Sequence, residues 1–146
     1  MDDFFKPVTD FSGSKGLVFV GDKVLVYRRD INTKLFPKKL DLPGGGRNGQ
    51  ETPFETFARE VYEEFGLTVQ RENIVYARQY ESSIHEGRKT FFAAAKLPAT
   101  DNVNIHFGDE GMEYMLLPVQ DYLKRTDAWP IFQERAADYL NATESS

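Results

Sequence analysis

The chain has 146 residues, the usual length of one domain with a buried core. Its 18 Lys and Arg residues and 23 Asp and Glu residues give a net charge of −5, which excludes a global positive field that would attract polymeric nucleic acid or an anionic membrane. The sequence contains no cysteine, so disulfides, thiolate metal sites and a cysteine nucleophile are also excluded.

The N-terminal residues do not have the basic segment and apolar core of a secretory signal. No apolar run approaches the roughly 18 residues that a membrane span needs. We therefore expect a cytoplasmic protein with a single domain over residues 1–146.

In chain order, the first predicted element is a β-hairpin. Residues 16–20 and 23–28 are rich in β-branched and aromatic side chains, which favour strands. Gly21 and Asp22 between them suit a two-residue hairpin turn.

A basic segment follows the hairpin. Between residues 28 and 39 the only acid is Asp30, whereas the basic residues are Arg28, Arg29, Lys34, Lys38 and Lys39. Two interpretations stay open: one or two of these side chains bind phosphate, or the segment is a solubilising loop. The candidates for phosphate binding are Arg28, Arg29 and Lys39.

Three consecutive glycines, Gly44, Gly45 and Gly46, come next and are predicted to form a turn. Glycine permits close approach of the backbone to a ligand, and the helix that starts a few residues later presents unpaired amides to anions. Gly45 and Gly46 are therefore candidate phosphate-binding positions.

The segment from Thr52 to Phe65 is predicted to be a helix. Thr52 can cap it, Pro53 fits its first position, and Glu55 can reach back to the cap amide. Gly66 suits the left-handed residue after the last turn. The apolar residues recur at steps of three and four and should pack on a sheet; they are Phe54, Phe57, Ala58, Val61 and Phe65.

Glu60, Glu63 and Glu64 fall on another sector of this helix, roughly 100° wide. Like charges one turn apart destabilise a helix, so a cation is expected against them. Oxygen-only ligands favour magnesium or manganese over zinc. Arg59 is expected to form an ion pair with Glu51 or Glu63 that holds the loop against the helix.

The remaining elements are three strands and two helices. Apolar runs at residues 74–80, 90–95 and 112–117 predict the strands. A short helix is predicted over residues 119–125 and a terminal one from Pro130, in which Phe132, Ala136 and Tyr139 or Leu140 recur at helical spacing. Strands mixed with three helices indicate an α/β layered domain. Four aromatic residues could stack a base or belong to the core: Phe36, Tyr76, Tyr80 and Phe91.

The residues from Gly45 to Leu67 also follow one constrained spacing. The order is Gly45, five residues, Glu51, seven residues, Arg59-Glu60-Val61, one residue, Glu63-Glu64, one residue, Gly66-Leu67. At average residue usage, a chance match has odds on the order of 10⁻⁸, so an ordinary acidic helix face does not explain it. At every fixed position this segment resembles the signature of the Nudix hydrolases.

The resemblance implies a fold and an activity. The fold is an α/β/α sandwich with a mixed sheet. The activity is hydrolysis, dependent on Mg²⁺ or Mn²⁺, of a nucleoside diphosphate linked to another group, with water attacking phosphorus. A small-molecule nucleoside diphosphate derivative is then the partner, and a homodimer is a further expectation because relatives are often dimers.

By position in the signature, the resemblance also implies roles for single residues. Glu60 and Glu64 are the principal metal ligands, Glu63 is an additional or water-mediated one, and the Gly44 carbonyl is a further ligand. Arg59 and Glu51 form the orienting ion pair. One more glutamate from a later loop, Glu110 or Glu113, would serve as ligand or general base, and the base stays open among Glu60, Glu64 and Glu113.

Two other functions fit the same resemblance. A catalytically silent nucleotide-binding regulatory domain usually has a lost glutamate, whereas this chain retains every glutamate of the signature. A diphosphate isomerase of the type it resembles relies on a cysteine, which this chain does not contain. Residues 68–96 do not display the markers that the family associates with hydrolysis of ADP-ribose, dinucleoside polyphosphates or coenzyme A. Among hydrolase substrates, nucleoside triphosphates and nucleotide sugars therefore stay open.

Overall fold

A computed structural model of the chain describes residues 1–33, 37–82, 85–108 and 111–144. Within these ranges seven strands form one sheet. The strands are β1 (Phe11–Val20), β2 (Lys23–Arg29), β3 (Leu40–Asp41), β4 (Gly44–Gly46), β5 (Ile74–Glu81), β6 (Lys89–Leu97) and β7 (Gly111–Pro118). The helices are α1 (Pro53–Phe65), α2 (Val119–Lys124) and α3 (Pro130–Glu144), with 3-10 turns at Asp2–Phe5, Arg71–Asn73 and Ala99–Asn104.

The sheet is mixed. Its main path runs β3-β2-β1-β6-β5, while β4 pairs with β1 and β7 pairs with β2. β1 and β6 are parallel, and the other strand pairs are antiparallel. The predicted hairpin is β1 and β2, with Gly21 at φ +66° in its turn. The α/β class with a mixed sheet is therefore confirmed.

Helix α1 begins and ends as its residues predict. The Thr52 hydroxyl accepts a hydrogen bond from the Glu55 amide at 3.1 Å, and the Glu55 carboxylate accepts one from the Thr52 amide at 2.8 Å. These two bonds form the capping box and satisfy two amides that the helix leaves free. Gly66 adopts φ +71° after the last turn, a conformation that favours glycine.

The apolar faces of α1 and α3 cover opposite sides of the sheet. Phe57, Val61 and Phe65 of α1 are fully buried in one core, together with Val18 of β1. Phe132, Ala136 and Tyr139 of α3 are buried in a second core, together with Leu17 of β1 and Phe92 of β6. Successive side chains of β1 thus serve both cores, because side chains alternate across a strand. The layers are those of an α/β/α sandwich.

The structure differs from the sequence-based prediction around the glycines. Gly44–Gly46 form strand β4 rather than a turn, and they pair antiparallel with Gly13, Ser14 and Lys15 of β1. The absence of Cβ atoms permits this pairing, since a Cβ on Gly44 would collide with the Ser14 carbonyl oxygen. β1 also starts at Phe11, five residues before the predicted strand, and β3 was not predicted. Among the described residues, no helix is both long and apolar enough to cross a membrane.

Candidate active site

A cavity of about 350 Å³ is lined by residues of α1, α3 and the strands between them. β1 contributes residues 12–15, β4 contributes Gly44–Gly46, and α1 contributes Glu60 and Glu64. The β4–β1 pairing and a 2.9 Å hydrogen bond from the Ser14 hydroxyl to the Pro53 carbonyl hold the start of α1 against the strands. The glycine segment and the glutamate helix, adjacent in sequence, therefore face one space.

Gly45 lies directly against Glu60. A Cβ on Gly45 would be 2.6 Å from the Glu60 carboxyl carbon and 2.7 Å from its Oε2. The missing side chain thus leaves the room that the carboxylate occupies. Glycine is needed here for the approach of a functional group rather than for an unusual backbone angle.

The three glutamates of the motif have different surroundings. The Glu60 side chain is 13% exposed and Glu64 is 3% exposed, and both line the cavity. The Glu63 side chain is 49% exposed and does not line the cavity. Of the three glutamates that helical spacing places on one sector, two therefore face the cavity and the third lies outside it.

Arg59 joins these carboxylates to the loop before the helix. Its guanidinium lies 2.7 Å from Glu51 Oε2, 2.9 Å from Glu60 Oε1 and 3.2 Å from Glu63 Oε2, and it donates to the Gly46 carbonyl at 2.7 Å. The hydrogen bond with Glu51 is the largest cause that raises the pKa of Arg59. The predicted ion pairs of Arg59 with Glu51 and Glu63 are both present.

Glu51 is held as a carboxylate. Burial raises its pKa, but hydrogen bonds from Arg59, the Asn48 amide and the Thr56 hydroxyl outweigh burial and leave the pKa lowered. The same carboxylate thus binds the loop and the first turn of α1 as well as Arg59.

A second charged cluster surrounds Asp41, which is completely buried. Its Oδ2 accepts hydrogen bonds from Lys15 Nζ at 2.8 Å, from the Arg29 guanidinium at 2.8 Å and from the Tyr27 hydroxyl at 3.2 Å. Burial raises the pKa of Tyr27, and the nearby negative charges of Asp41 and Glu64 raise it further. Lys15, Tyr27 and Arg29 line the cavity, so two cations held by one carboxylate face the same space as the glutamates.

Three further residues of the cavity come from the region of α3. They are Trp129, Phe132 and Arg135. The Trp129 and Phe132 rings meet at 4.9 Å between centroids, and the Arg29 guanidinium lies 5.7 Å from the Trp129 ring centre. Sequence reasoning missed these three residues, together with Lys15 and Asp41. The sequence did carry one signal of this site. Arg135 lies three residues after Phe132, so a charged side chain stands on the apolar stripe of its helix.

Other predicted site residues lie outside the cavity lining. Arg28 is in ion pairs with Glu113 at 3.1 Å and with Asp127 at 3.2 Å, and its cross-strand partner in β7 is Glu113. Neither Arg28, Glu113 nor Lys39 lines the cavity. Glu110, Lys34 and Phe36 lie outside the described residues. Phe91, for which base stacking and a place in the core were both open, is 2% exposed and belongs to the core.

The carboxylates that line the cavity fit a hard divalent cation. Glu60 and Glu64 offer only oxygen atoms, the donors that Mg²⁺ and Mn²⁺ prefer, and the missing Cβ of Gly45 leaves the Glu60 carboxylate accessible from β4. Across the described ranges, no three acidic or histidine side chains are grouped closely enough to hold an ion by themselves. Water molecules, backbone carbonyls or substrate oxygens would complete the coordination.

Comparisons with known proteins agree on one fold. The family model of the NUDIX domain matches residues 14–138. A NUDIX hydrolase from Nitrosomonas europaea superposes with a TM-score of 0.73 at 22% identity, covering 97% of this chain and 76% of that chain. The MutT protein from Methanosarcina mazei Go1 superposes with a TM-score of 0.69 at 24% identity, covering 90% of this chain and 96% of that chain.

A third similar structure is the bifunctional NMN adenylyltransferase/ADP ribose pyrophosphatase from Francisella tularensis in complex with AMP and a Mn ion. Its TM-score is 0.62 at 18% identity, and the match covers 77% of this chain and 36% of that chain. Among curated proteins, none has a detectably similar sequence.

Proposed function

Because this chain belongs to the Nudix family of hydrolases, we propose that it cleaves, with a divalent metal, the diphosphate linkage of a nucleoside triphosphate, nucleotide sugar or similar compound. One observation carries this proposal: a single cavity is lined by Glu60, Glu64 and the glycine strand and also by Lys15 and Arg29. Hydrolysis of a diphosphate needs carboxylates that bind the metal ion and positively charged side chains that bind the phosphate oxygens.

The residues that would hold Mg²⁺ or Mn²⁺ are Glu60 and Glu64, with the Gly44 carbonyl and Glu63 as additional candidates. When bound, such an ion neutralises phosphate charge and lowers the pKa of water. The Mn ion and AMP in the Francisella tularensis protein support both the choice of metal and a nucleotide ligand. Glu63 lies outside the cavity lining and would act through an intervening water.

The chain's own residues then orient the substrate and receive a proton. Lys15 and Arg29, held in place by Asp41, neutralise phosphate oxygens, and the glycines of β4 admit the phosphate close to the backbone. A carboxylate acts as general base toward the attacking water. Glu60 and Glu64 line the cavity, so we propose one of these as the base ahead of Glu113, whose carboxylate accepts a hydrogen bond from Arg28.

The experiment that tests this function is a substrate panel. Purified protein with Mg²⁺ or Mn²⁺ is given nucleoside triphosphates, nucleotide sugars and dinucleotides, and phosphate is measured after a coupling phosphatase. We expect turnover of at least one compound, its loss in EDTA, and its loss in the variants Glu60→Gln and Glu64→Gln. Full activity of either variant would contradict the proposal.

The matched control is Glu72→Gln, which removes an exposed carboxylate of a 3-10 turn outside the cavity. It should retain wild-type turnover. Tight nucleotide binding without any product would instead identify the silent nucleotide-binding domain as the correct alternative. The expected homodimer stays a prediction, which sedimentation equilibrium tests.

A further inference from the structure

Arg135 is a buried arginine of the cavity lining that the proposed reaction does not use. It is 5% exposed, and it lies on the face of α3 that packs on the sheet. Burial lowers the pKa of Arg135, and the negative charges of Glu134 and Asp138 offset this lowering only in part. Arginine is rarely buried without a charged partner, so the burial of Arg135 beside the cavity needs a physical explanation.

The bonding of Arg135 is incomplete within the described residues. Its NH2 group donates to the Glu81 carbonyl at 3.1 Å, whereas its buried Nε has no hydrogen-bond partner there. No carboxylate of those residues forms a salt bridge with it; the neighbouring Asp138 pairs with Arg78 and accepts a hydrogen bond from the Tyr80 hydroxyl. A buried donor without an acceptor is costly, so the hydrogen bonds within the protein do not by themselves explain an arginine at this position.

Two aromatic rings set the orientation of the guanidinium. Its central carbon lies 4.5 Å from the centre of the Tyr80 ring and 5.6 Å from that of the Phe132 ring. Contacts with rings occupy the faces of a guanidinium and leave its N–H groups for partners at its edge. The edge of Arg135 is therefore preorganised for a planar group with acceptor atoms.

The cavity has the size and lining of a site for a planar aromatic ligand. Its volume of about 350 Å³ lies at the lower end of the range for small-molecule pockets, and Trp129 and Phe132 line it beside Arg135. A nucleobase is the planar group that a nucleoside diphosphate substrate supplies. Arginine pairs best with two adjacent acceptors, such as O6 and N7 of guanine, whereas adenine presents an amino donor at the first of these positions.

We propose that Arg135 is a specificity-determining residue that donates to the base of the substrate and selects a 6-oxopurine over adenine. This inference rests on the proposed function, since it places a nucleotide in the same cavity. It adds a class of substrate, purine nucleotides with a carbonyl oxygen at position 6, to a reaction that leaves the base unchanged.

The test measures binding rather than turnover, so that its result is independent of hydrolysis. Inosine 5′-monophosphate and adenosine 5′-monophosphate differ in the oxygen or amino group at position 6, and their dissociation constants are measured by calorimetry. We expect the wild-type protein to bind inosine monophosphate about 5- to 150-fold more tightly, the range for one bidentate arginine contact. Arg135→Met, which keeps a long side chain and removes every hydrogen-bond donor, should reduce this preference to within about twofold.

The matched control is Arg78→Gln. Arg78 also contacts the Tyr80 ring, at 5.0 Å, and pairs with Asp138, but its side chain is 57% exposed and does not line the cavity. This variant should keep the wild-type preference. Thermal unfolding identifies any variant that fails to fold, and the comparison of the two nucleotides in the wild-type protein then decides the test.

Three results would overturn the inference: equal binding of the two nucleotides by the wild-type protein, no binding of either, or a preference that survives in Arg135→Met. An equal loss for both nucleotides in Arg135→Met would mean that Arg135 does not distinguish the group at position 6, which also overturns base selection. Hydrolysis without a base preference would refute only this inference. A base preference without hydrolysis of any compound would refute only the proposed function.

Discussion

Arg59 illustrates how one side chain can organise a cluster of carboxylates. Its planar guanidinium donates to Glu51, Glu60 and Glu63 and to the Gly46 carbonyl, in four directions that a single ammonium group cannot cover. Its charge offsets the repulsion between carboxylates one turn apart. Arg59 therefore holds Glu60 beside the glycine strand while the cavity side of that carboxylate stays available.

We predict that Arg59→Lys weakens metal use without unfolding the protein. Residues that orient metal ligands typically change metal affinity or activity by about 10- to 100-fold, so the Mg²⁺ concentration for half-maximal hydrolysis should rise by about tenfold or more. A Mg²⁺ titration of the hydrolysis rate measures this shift. Arg47→Lys is the control, because Arg47 donates to the Thr9 carbonyl, while the salt bridges of Glu51, Glu60 and Glu63 among the described residues are all with Arg59. An unchanged titration curve in Arg59→Lys would refute the role.

The two glycines Gly44 and Gly45 should respond differently to alanine. In Gly45→Ala the new Cβ would meet the end of a flexible side chain, the Glu60 carboxylate, at 2.6 to 2.9 Å. Glu60 can move, so stability should change by less than about 1 kcal/mol, while displacement of a ligand should lower kcat/KM by about tenfold or more.

In Gly44→Ala the Cβ would instead meet the backbone of β1, and the residue is at φ +131°. Backbone cannot yield as a side chain does, so this variant should lose several kcal/mol of stability or fail to fold. Urea unfolding of both variants, with kinetics of Gly45→Ala, checks the contrast. Equal stability losses in the two variants would contradict it.

At the scale of elements, α1 depends on its capping box. Thr52→Ala removes the side-chain acceptor for the Glu55 amide, and such losses cost about 1 kcal/mol. We expect the free energy of unfolding in urea to fall by about that amount, with an unchanged slope against urea concentration. Glu72→Gln provides a surface control with no expected change. A difference below about 0.3 kcal/mol would show that packing of the apolar face alone determines the start of the helix.

Asp127 links the segment before α3 to β2. The hydrogen bond from Arg125 is the largest cause that lowers the pKa of Asp127, burial opposes it, and a hydrogen bond from Arg28 adds to the lowering. A carboxylate whose pKa is lowered on folding stabilises the protein above its unfolded pKa, about 3.9, and loses this contribution as the pH falls toward the folded value.

We therefore expect Asp127→Asn to be less stable than wild type at pH 7 and closer to it at pH 3. The side chain is 35% exposed, so solvent screening should keep the difference at pH 7 below about 1 kcal/mol. Urea unfolding at both pH values measures it. Asp22→Asn, in the exposed hairpin turn, is the control, and a difference for Asp127→Asn that grows toward pH 3 would contradict the assignment.

At the scale of the whole molecule, the sheet places the functional groups of two layers around one cavity. Glu60 and Glu64 come from α1 on one side, Phe132 and Arg135 come from α3 on the other, and Lys15 comes from the strand between them. A ligand in this cavity touches both helical layers. Binding should therefore stabilise the complete fold rather than one element.

Metal binding should accordingly raise the midpoint of thermal unfolding. A ligand at about 100 times its dissociation constant adds about 2.7 kcal/mol, and each kcal/mol corresponds to roughly 2–4 °C for a chain of this size. We expect a rise of about 5–10 °C with excess Mn²⁺ in wild type and little or none in the double variant Glu60→Gln/Glu64→Gln. An equal rise in both would mean that the ion binds elsewhere.

The sequence by itself determined the local features and the family. The Thr52–Glu55 cap, Gly66 at the helix end, the hairpin at Gly21 and the spacing of Glu60, Glu63 and Glu64 depend on residues within a few positions of one another. Their geometry follows from helix and turn periodicity alone. For this reason the cluster of carboxylates in the candidate site could be predicted without a structure.

The tertiary structure decided what faces those glutamates. Lys15 meets Asp41 across 26 positions and Arg135 meets Glu81 across 54, and no local rule connects either pair. The order and register of the strands decide such contacts. The tertiary structure also leaves Glu63, Arg28 and Glu113 outside the cavity lining and pairs the three glycines with β1 as a strand. Spacing along a helix specifies which residues share an edge, but only the packing of layers decides which of them share a cavity.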